Sequence, residues 1–319
     1  MRLLIALSIL AGLAGASVSV GVGDVSLGGL LTAAERDRTV LLLLESRVPR
    51  TLALILAGAA MPVAGLIMQM LARNRFVEPA TTGTVEFASL GVLATMVVWP
   101  GLPVMGRMVV AASFALAGTA LFLFILSRIP LRSVLVVPLV GIMLGGVAGA
   151  LATFFAYRYD LTQSLAAWTM GDFSHVLRGR YELLWIAAAV TGAAYFAADR
   201  FTLAGMGRDT ATNLGLDYGQ VVFCGLVVIA MVSAAVVTTV GSVPFLGLIV
   251  PNIVSLAFGD NGRRTIPWIA ILGSAIVLAC DVAGRLIRYP FEIPVGVVLG
   301  VVGSAAFLFL LLRKDGRLA

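Results

Sequence analysis

The chain is short of charge. Only 12% of its 319 residues are Asp, Glu, Lys or Arg, against roughly 25% in a soluble domain. That deficit excludes an ordinary water-facing globule. Lysine is nearly absent, with Lys314 alone near the C-terminus and Arg at every other basic position. No Gly-x-x-x-x-Gly-Lys-Ser/Thr run exists, so this chain has no phosphate loop to cradle a nucleotide. One histidine, His175, and two cysteines, Cys224 and Cys280, are too few for a His/Cys metal cluster. Both cysteines sit inside apolar runs and read as packing residues. The arginines are scattered at segment ends and form no basic face for a phosphate backbone, which argues against nucleic acid. No nucleophile stands with a base. The expectation is a non-enzyme with no catalytic residue, metal or cofactor.

What the chain does have is apolar length. It is 60% hydrophobic with 35 glycines, and its mean hydropathy is +1.05. Small residues let membrane helices approach closely. Apolar runs appear at 3–22, 50–71, 83–101, 108–127, 134–156, 182–199, 221–241, 243–258, 267–286 and 294–312. A span needs about 17–25 residues. The reading is an all-α polytopic integral membrane protein of about ten transmembrane helices, one domain over 1–319. The first run resembles a signal peptide, with Arg2 before it and Ala14–Ala16 as a mock cleavage site, but it is long enough to be a retained span. The eighth run carries Pro251 and reads as a discontinuous helix in the bundle interior or beside a pathway.

The polar connections are distinct. Gly23–Ser46 reads as an extramembrane loop with a short surface helix. Arg73-Asn74-Arg75 closes the second run, and SRIPLR at 127–132 is a tight turn. Tyr157–Arg180 has interfacial character. Phe201–Gln220, FTLAGMGRDTATNLGLDYGQ, reads as a loop offering one or two short helices to a soluble partner. Ten spans place both termini on one side. The positive-inside rule favours the cytoplasm by a narrow margin.

Several stretches together carry a resemblance. RVPRTL at 47–52 is followed by AGAAMPVAGLIMQMLARNRFVEPATTG. Later come LGLDYGQ at 214–220, GSVPFLGLIVPNIV at 241–254, CDVAGR at 280–285 and EIPVGVVLGVVGSAAFLFLLLRK at 292–314. In this order and spacing they resemble permeases of the FecCD type, the membrane subunits of ABC importers for iron siderophores, haem and cobalamin. The resemblance covers almost the whole chain. It implies the type II ABC importer permease fold in the cell inner membrane, with both termini cytoplasmic. It implies a second permease subunit, identical or homologous, cytoplasmic ATPase subunits, and a periplasmic or lipid-anchored substrate-binding protein.

The resemblance also implies roles for residues. Arg47, Arg50 and Arg285 would receive carboxylates of the binding protein, a pairing suited to the planar guanidinium fork. Cys280 and Gly284 stand where the family has alanine around that last arginine. An alternative for Arg47 and Arg50 is headgroup anchoring, and for Arg285 a pair with Asp281 four residues earlier. The 201–220 loop would be the coupling loop on the ATPase. Ala204, Met206 and Leu214 would make its apolar contacts, and Leu214-Gly215-Leu216-Asp217 is its signature. Asn74 and Phe76 stand where the family has a gate, although Asn74-Arg75-Phe76 replaces the usual Asn-Pro-Leu. Met170 and Phe173 would lie near the outer mouth. The run Pro251-Asn252-Ile253-Val254-Ser255 resembles the branch serving catecholate siderophores. Haem or cobalamin permeases are the alternative cargo classes. An ion-coupled secondary transporter is a further alternative, and it would need mid-span ionisable residues. Glu86 and Asp281 are the acidic candidates for that role within the spans.

Overall fold

A computed structural model describes residues 2–20, 40–129 and 136–312. Of the loop expected over 23–46, residues 23–39 lie outside them, as do the 130–135 part of the tight turn and the basic tail; residues 40–46 are not loop but helix, continuous with the stretch Val40–Ala72. Among the described residues every regular element is helical. The helices are α1 (Arg2–Ser19), α2 (Val48–Ala72), α3 (Thr84–Val98), α4 (Val104–Arg128), α5 (Val136–Arg158), α6 (Thr162–Thr169), α7 (Leu183–Phe196), α8 (Ala198–Gly205), α9 (Arg208–Asn213), α10 (Tyr218–Val240), α11 (Leu246–Phe258), α12 (Gly262–Ile287) and α13 (Val295–Leu312). One turn of π-helix, Leu43–Arg47, leads directly into α2.

Five of these helical stretches are long and apolar enough to cross a membrane: Val40–Ala72, Val104–Arg128, Val136–Arg158, Tyr218–Val240 and Gly262–Ile287. Five shorter apolar helices coincide with the remaining predicted runs. The eighth run is indeed a short helix, α11, with Pro251 inside it and most of its side chains buried. Cys224 departs from expectation: it faces outward, while Cys280 is buried.

The bundle is built on α2. Nearly all its residues are buried, and α12, α11, α10 and α7 pack around it. In lipid, no water drives apolar faces together, so close backbone contact and internal hydrogen bonds must hold helices. Both are visible. A Cβ built on Gly58 would lie 2.8 Å from Ser274 Cα of α12, and one on Gly65 would run into the Gly247 carbonyl of α11. Ser274 Oγ donates to the Ile55 carbonyl at 2.8 Å, and Gln69 Nε2 donates to the Gly247 carbonyl at 3.3 Å. Gly65→Ala should therefore push α11 off α2 and lower stability by about 1–3 kcal/mol. Thermal melting of the detergent-solubilised protein reads this, and an unchanged melting temperature would contradict the crossing.

Local chemistry sets the helix ends. Arg73 takes the left-handed conformation at the end of α2, and the Asn74 N–H reaches back to the Gln69 carbonyl at 3.0 Å, a C-terminal lock. Asp217 accepts from the Gln220 N–H to start α10, and Asn261 accepts from the Arg264 N–H to start α12, as N-caps do.

Candidate functional site: two polar ends and an acidic interior

The 25 residues of α2 separate two polar ends by about 37 Å. At its start, four elements converge on one carboxylate. Asp281 of α12 accepts from Arg50 Nε at 3.1 Å and Nη2 at 2.7 Å. Its other oxygen accepts from Arg285. Arg50 Nη1 also donates to Glu292 at 2.7 Å. Arg285 further donates to Ser17 Oγ at 2.8 Å and to the Ser17 and Val20 carbonyls. Arg47 donates to the Val18 and Ser19 carbonyls at 2.9 and 3.0 Å. The last carbonyls of any helix lack intrahelical partners. Here two arginines supply them, and α1 is thereby clamped to α2 and α12. Asp281 is 1% exposed, Arg285 5% and Arg47 9%. The three predicted docking arginines are thus brought together, but largely buried and already paired. The i,i+4 pair of Asp281 and Arg285 is present. Glu292 was missed, because 242 residues separate it from Arg50.

The same end holds Met170, which is half exposed. The segment after it is pinned by Asp172 N–H to the Val240 carbonyl and by Gly296 N–H to the Gly171 carbonyl, both at 2.9 Å. Phe173 corrects an expectation. It is fully buried in the core, so it packs the bundle and presents no surface to a mouth. His175 is a structural residue, with Nε2 3.3 Å from the Thr239 carbonyl.

At the far end, α8 and α9 form the two short helices expected of the 201–220 loop. Met206 and Leu214 are 59% and 62% exposed, as a contact surface requires. Ala204 is not available: with Ala198 and Phe201 it forms the inward face of α8, so it fastens the loop to the bundle. Gly207 and Gly215 hold positive φ of 108° and 81° and make the two chain reversals. Leu216 packs on the core, and Asp217 is spent on its cap. The loop is tied to its surroundings by Arg263 to Asp199 at 2.9 Å and by Gly262 N–H to Thr202 Oγ1 at 3.2 Å. Between it and the end of α2 lies a cavity of about 390 Å³, lined among others by Gln69, Arg73, Asn74, Met206 and Asn252.

The residues placed at a gate are fixed by local contacts. Asn74 Oδ1 accepts from the Phe76 N–H at 2.8 Å, and Arg75 pairs with Asp260 at 2.6 Å. Phe76 meets Phe307 of α13 edge-on, ring centroids 6.0 Å apart. Deeper still, Glu78 is 1% exposed and its Oε1 accepts from the Phe245 N–H at 2.8 Å. A carboxylate at the start of α11 suits both the free N–H groups and the helix dipole. Sequence reading missed Glu78, whose only local signal is an acid in a short apolar connection.

The FecCD transport family model matches residues 3–313. The chain belongs to the FecCD transport family. Within that family it is 45% identical over 302 residues to the petrobactin import system permease protein YclN of Bacillus subtilis, covering 95% of each chain. It is 39% identical over 277 residues to the ferric-anguibactin transport system permease protein FatD of Vibrio anguillarum, covering 87% of this chain and 88% of that one. Vitamin B12 import permeases are more distant, at 32% identity for BtuC of Klebsiella pneumoniae. A solved metal-chelate type ABC transporter in an inward-facing conformation superposes with a TM-score of 0.78 over 98% of both chains at 22% identity, which establishes a shared fold. The protein is therefore a multi-pass membrane permease of the ABC importer type.

Proposed function

We propose that the chain is the permease subunit of an ATP-driven importer that moves an intact ferric siderophore of catecholate type across the inner membrane by alternating access. The observation that carries this reading is the near end-to-end relation to siderophore permeases. The two polar ends support its mechanism. Exposed Met206 and Leu214 offer apolar contacts to a separate ATPase, whose rigid-body motion would pass through α8 and α9. A binding protein would dock at the opposite end. A second copy of the permease would face α5, whose Leu139, Ile142, Met143 and Val147 point outward. Both termini would be cytoplasmic.

The arginine cluster refines the docking proposal. Arg47 and Arg285 are engaged with α1, so docking falls to Arg50 through its link with the partly exposed Glu292. Arg50→Lys keeps a cation beside Asp281 but loses the fork. It is expected to weaken co-purification of the binding protein while leaving ATPase binding unchanged. Equal recovery of the binding protein would remove Arg50 from the interface. The function itself is tested by uptake of labelled ferric chelates in a deletion strain complemented with this gene. Catecholate chelates should be imported. Import of haem or cobalamin instead would assign the alternative cargo.

A further inference from the structure

Two carboxylates lie within the apolar helices, and they are treated differently. Asp281 is held by two arginines. Glu86, in the first turn of α3, has no ion pair among the described residues, and its Oε2 is buried without a hydrogen-bond partner. A Cβ built on Gly145 of α5 would lie 3.4 Å from that oxygen, an ordinary contact distance, so the carboxylate lies directly against α5. Burying a charged group without a partner is strongly unfavourable. An intramembrane acid left in that condition points to a function.

The surroundings indicate which. Glu86 lines a cavity of about 230 Å³ together with Ser89, Thr153 and Ser242. Ser89 follows Glu86 by three residues and shares its helix face. Thr153 Oγ1 donates to the Gly149 carbonyl at 2.9 Å, which leaves its lone pairs for a donor. The set is therefore one carboxylate and three hydroxyl oxygens, rich in acceptors and without a cation. A water occupies about 30 Å³, so the space suits a short side arm better than a bare ion. A ferric catecholate centre is itself anionic and would be repelled by Glu86.

From this we infer that Glu86, with Ser89, Thr153 and Ser242, forms a subsite for a pendant ammonium group of the cargo chelate. The ammonium presents three donors to the carboxylate and the hydroxyls. The inference rests on the siderophore reading given above and narrows it to chelates with an amine-bearing arm.

The test uses the full permease with its ATPase and binding protein in proteoliposomes. Two ferric catecholates are compared, one with a free primary amine and one with that amine acetylated. Glu86→Gln keeps the shape and removes the charge. It is expected to lower uptake of the amine chelate about tenfold, equivalent to about 1.4 kcal/mol, and to leave the acetylated chelate unchanged. Binding of the amine chelate to the permease alone in nanodiscs should fall by the same factor, whichever chelate the binding protein accepts. Thr153→Val should lower binding in the same selective way. Equal losses for both chelates, or no loss, would overturn the subsite. So would uptake that depends on sodium or potassium only when Glu86 is present, since the cavity would then serve a metal cation. If the wild-type complex imports neither chelate, the siderophore reading fails first and the subsite falls with it.

Discussion

Asp281→Asn is expected to lower the stability of the permease by about 3–5 kcal/mol, the range seen when one partner of a buried ion pair is removed. The substitution keeps the shape of the side chain. It leaves Arg285, which is 5% exposed, without its anion and loosens Arg50, which retains only Glu292. The α1 clamp should then slacken, because Arg285 also holds the last carbonyls of α1. Glu292→Gln should do far less, about 1 kcal/mol or below, since that pair lies nearer solvent. Replacing Asp281 and Arg285 together by Asn and Met should recover part of the loss, because no orphan charge remains. Denaturant titration in bicelles reads all three. A wild-type midpoint for Asp281→Asn would show that the cluster does not anchor α1.

The second large effect concerns the far end. Met206→Asp and Leu214→Asp should abolish chelate import while leaving the fold intact. Both side chains are largely exposed, and surface substitutions of that kind usually change stability by about 0.5 kcal/mol or less. Burial of one large apolar side chain in an interface is worth about 1.5–3 kcal/mol, and each 1.4 kcal/mol is about tenfold in affinity. Each variant should therefore weaken ATPase association about tenfold or more, measured by co-purification. Ala204→Asp should behave differently and destabilise the permease itself, since Ala204 is 1% exposed. Full ATPase recovery with the Met206 and Leu214 variants would move the contact elsewhere.

The helical architecture was legible because the signal is long. Ten apolar runs separated by polar or glycine-rich turns leave few alternatives to a membrane bundle, and each run became a helix. The 201–220 loop was legible for the opposite reason, as polar and small residues between two spans. Met206 and Leu214, expected among its contacts, are exposed and lie just outside the helices. Ala204 was misjudged because its neighbours set the face: Phe201 and Ala198, spaced by three, turn that side of α8 inward. The arginine cluster was half visible. Asp281 and Arg285 are one helical turn apart, a local signal. Arg50 to Glu292 and Arg285 to Ser17 span most of the chain, and no spacing rule reaches that far. Phe173 was expected near the mouth from the family resemblance, which does not say which way its side chain turns, and it is buried in the core.

The most direct measurement is chelate uptake by proteoliposomes that contain the permease and its binding protein, with and without the ATPase subunits. With the ATPase and ATP, labelled ferric catecholate should accumulate; without either, it should stay outside. Accumulation in the absence of the ATPase, driven by an ion gradient alone, would contradict the account.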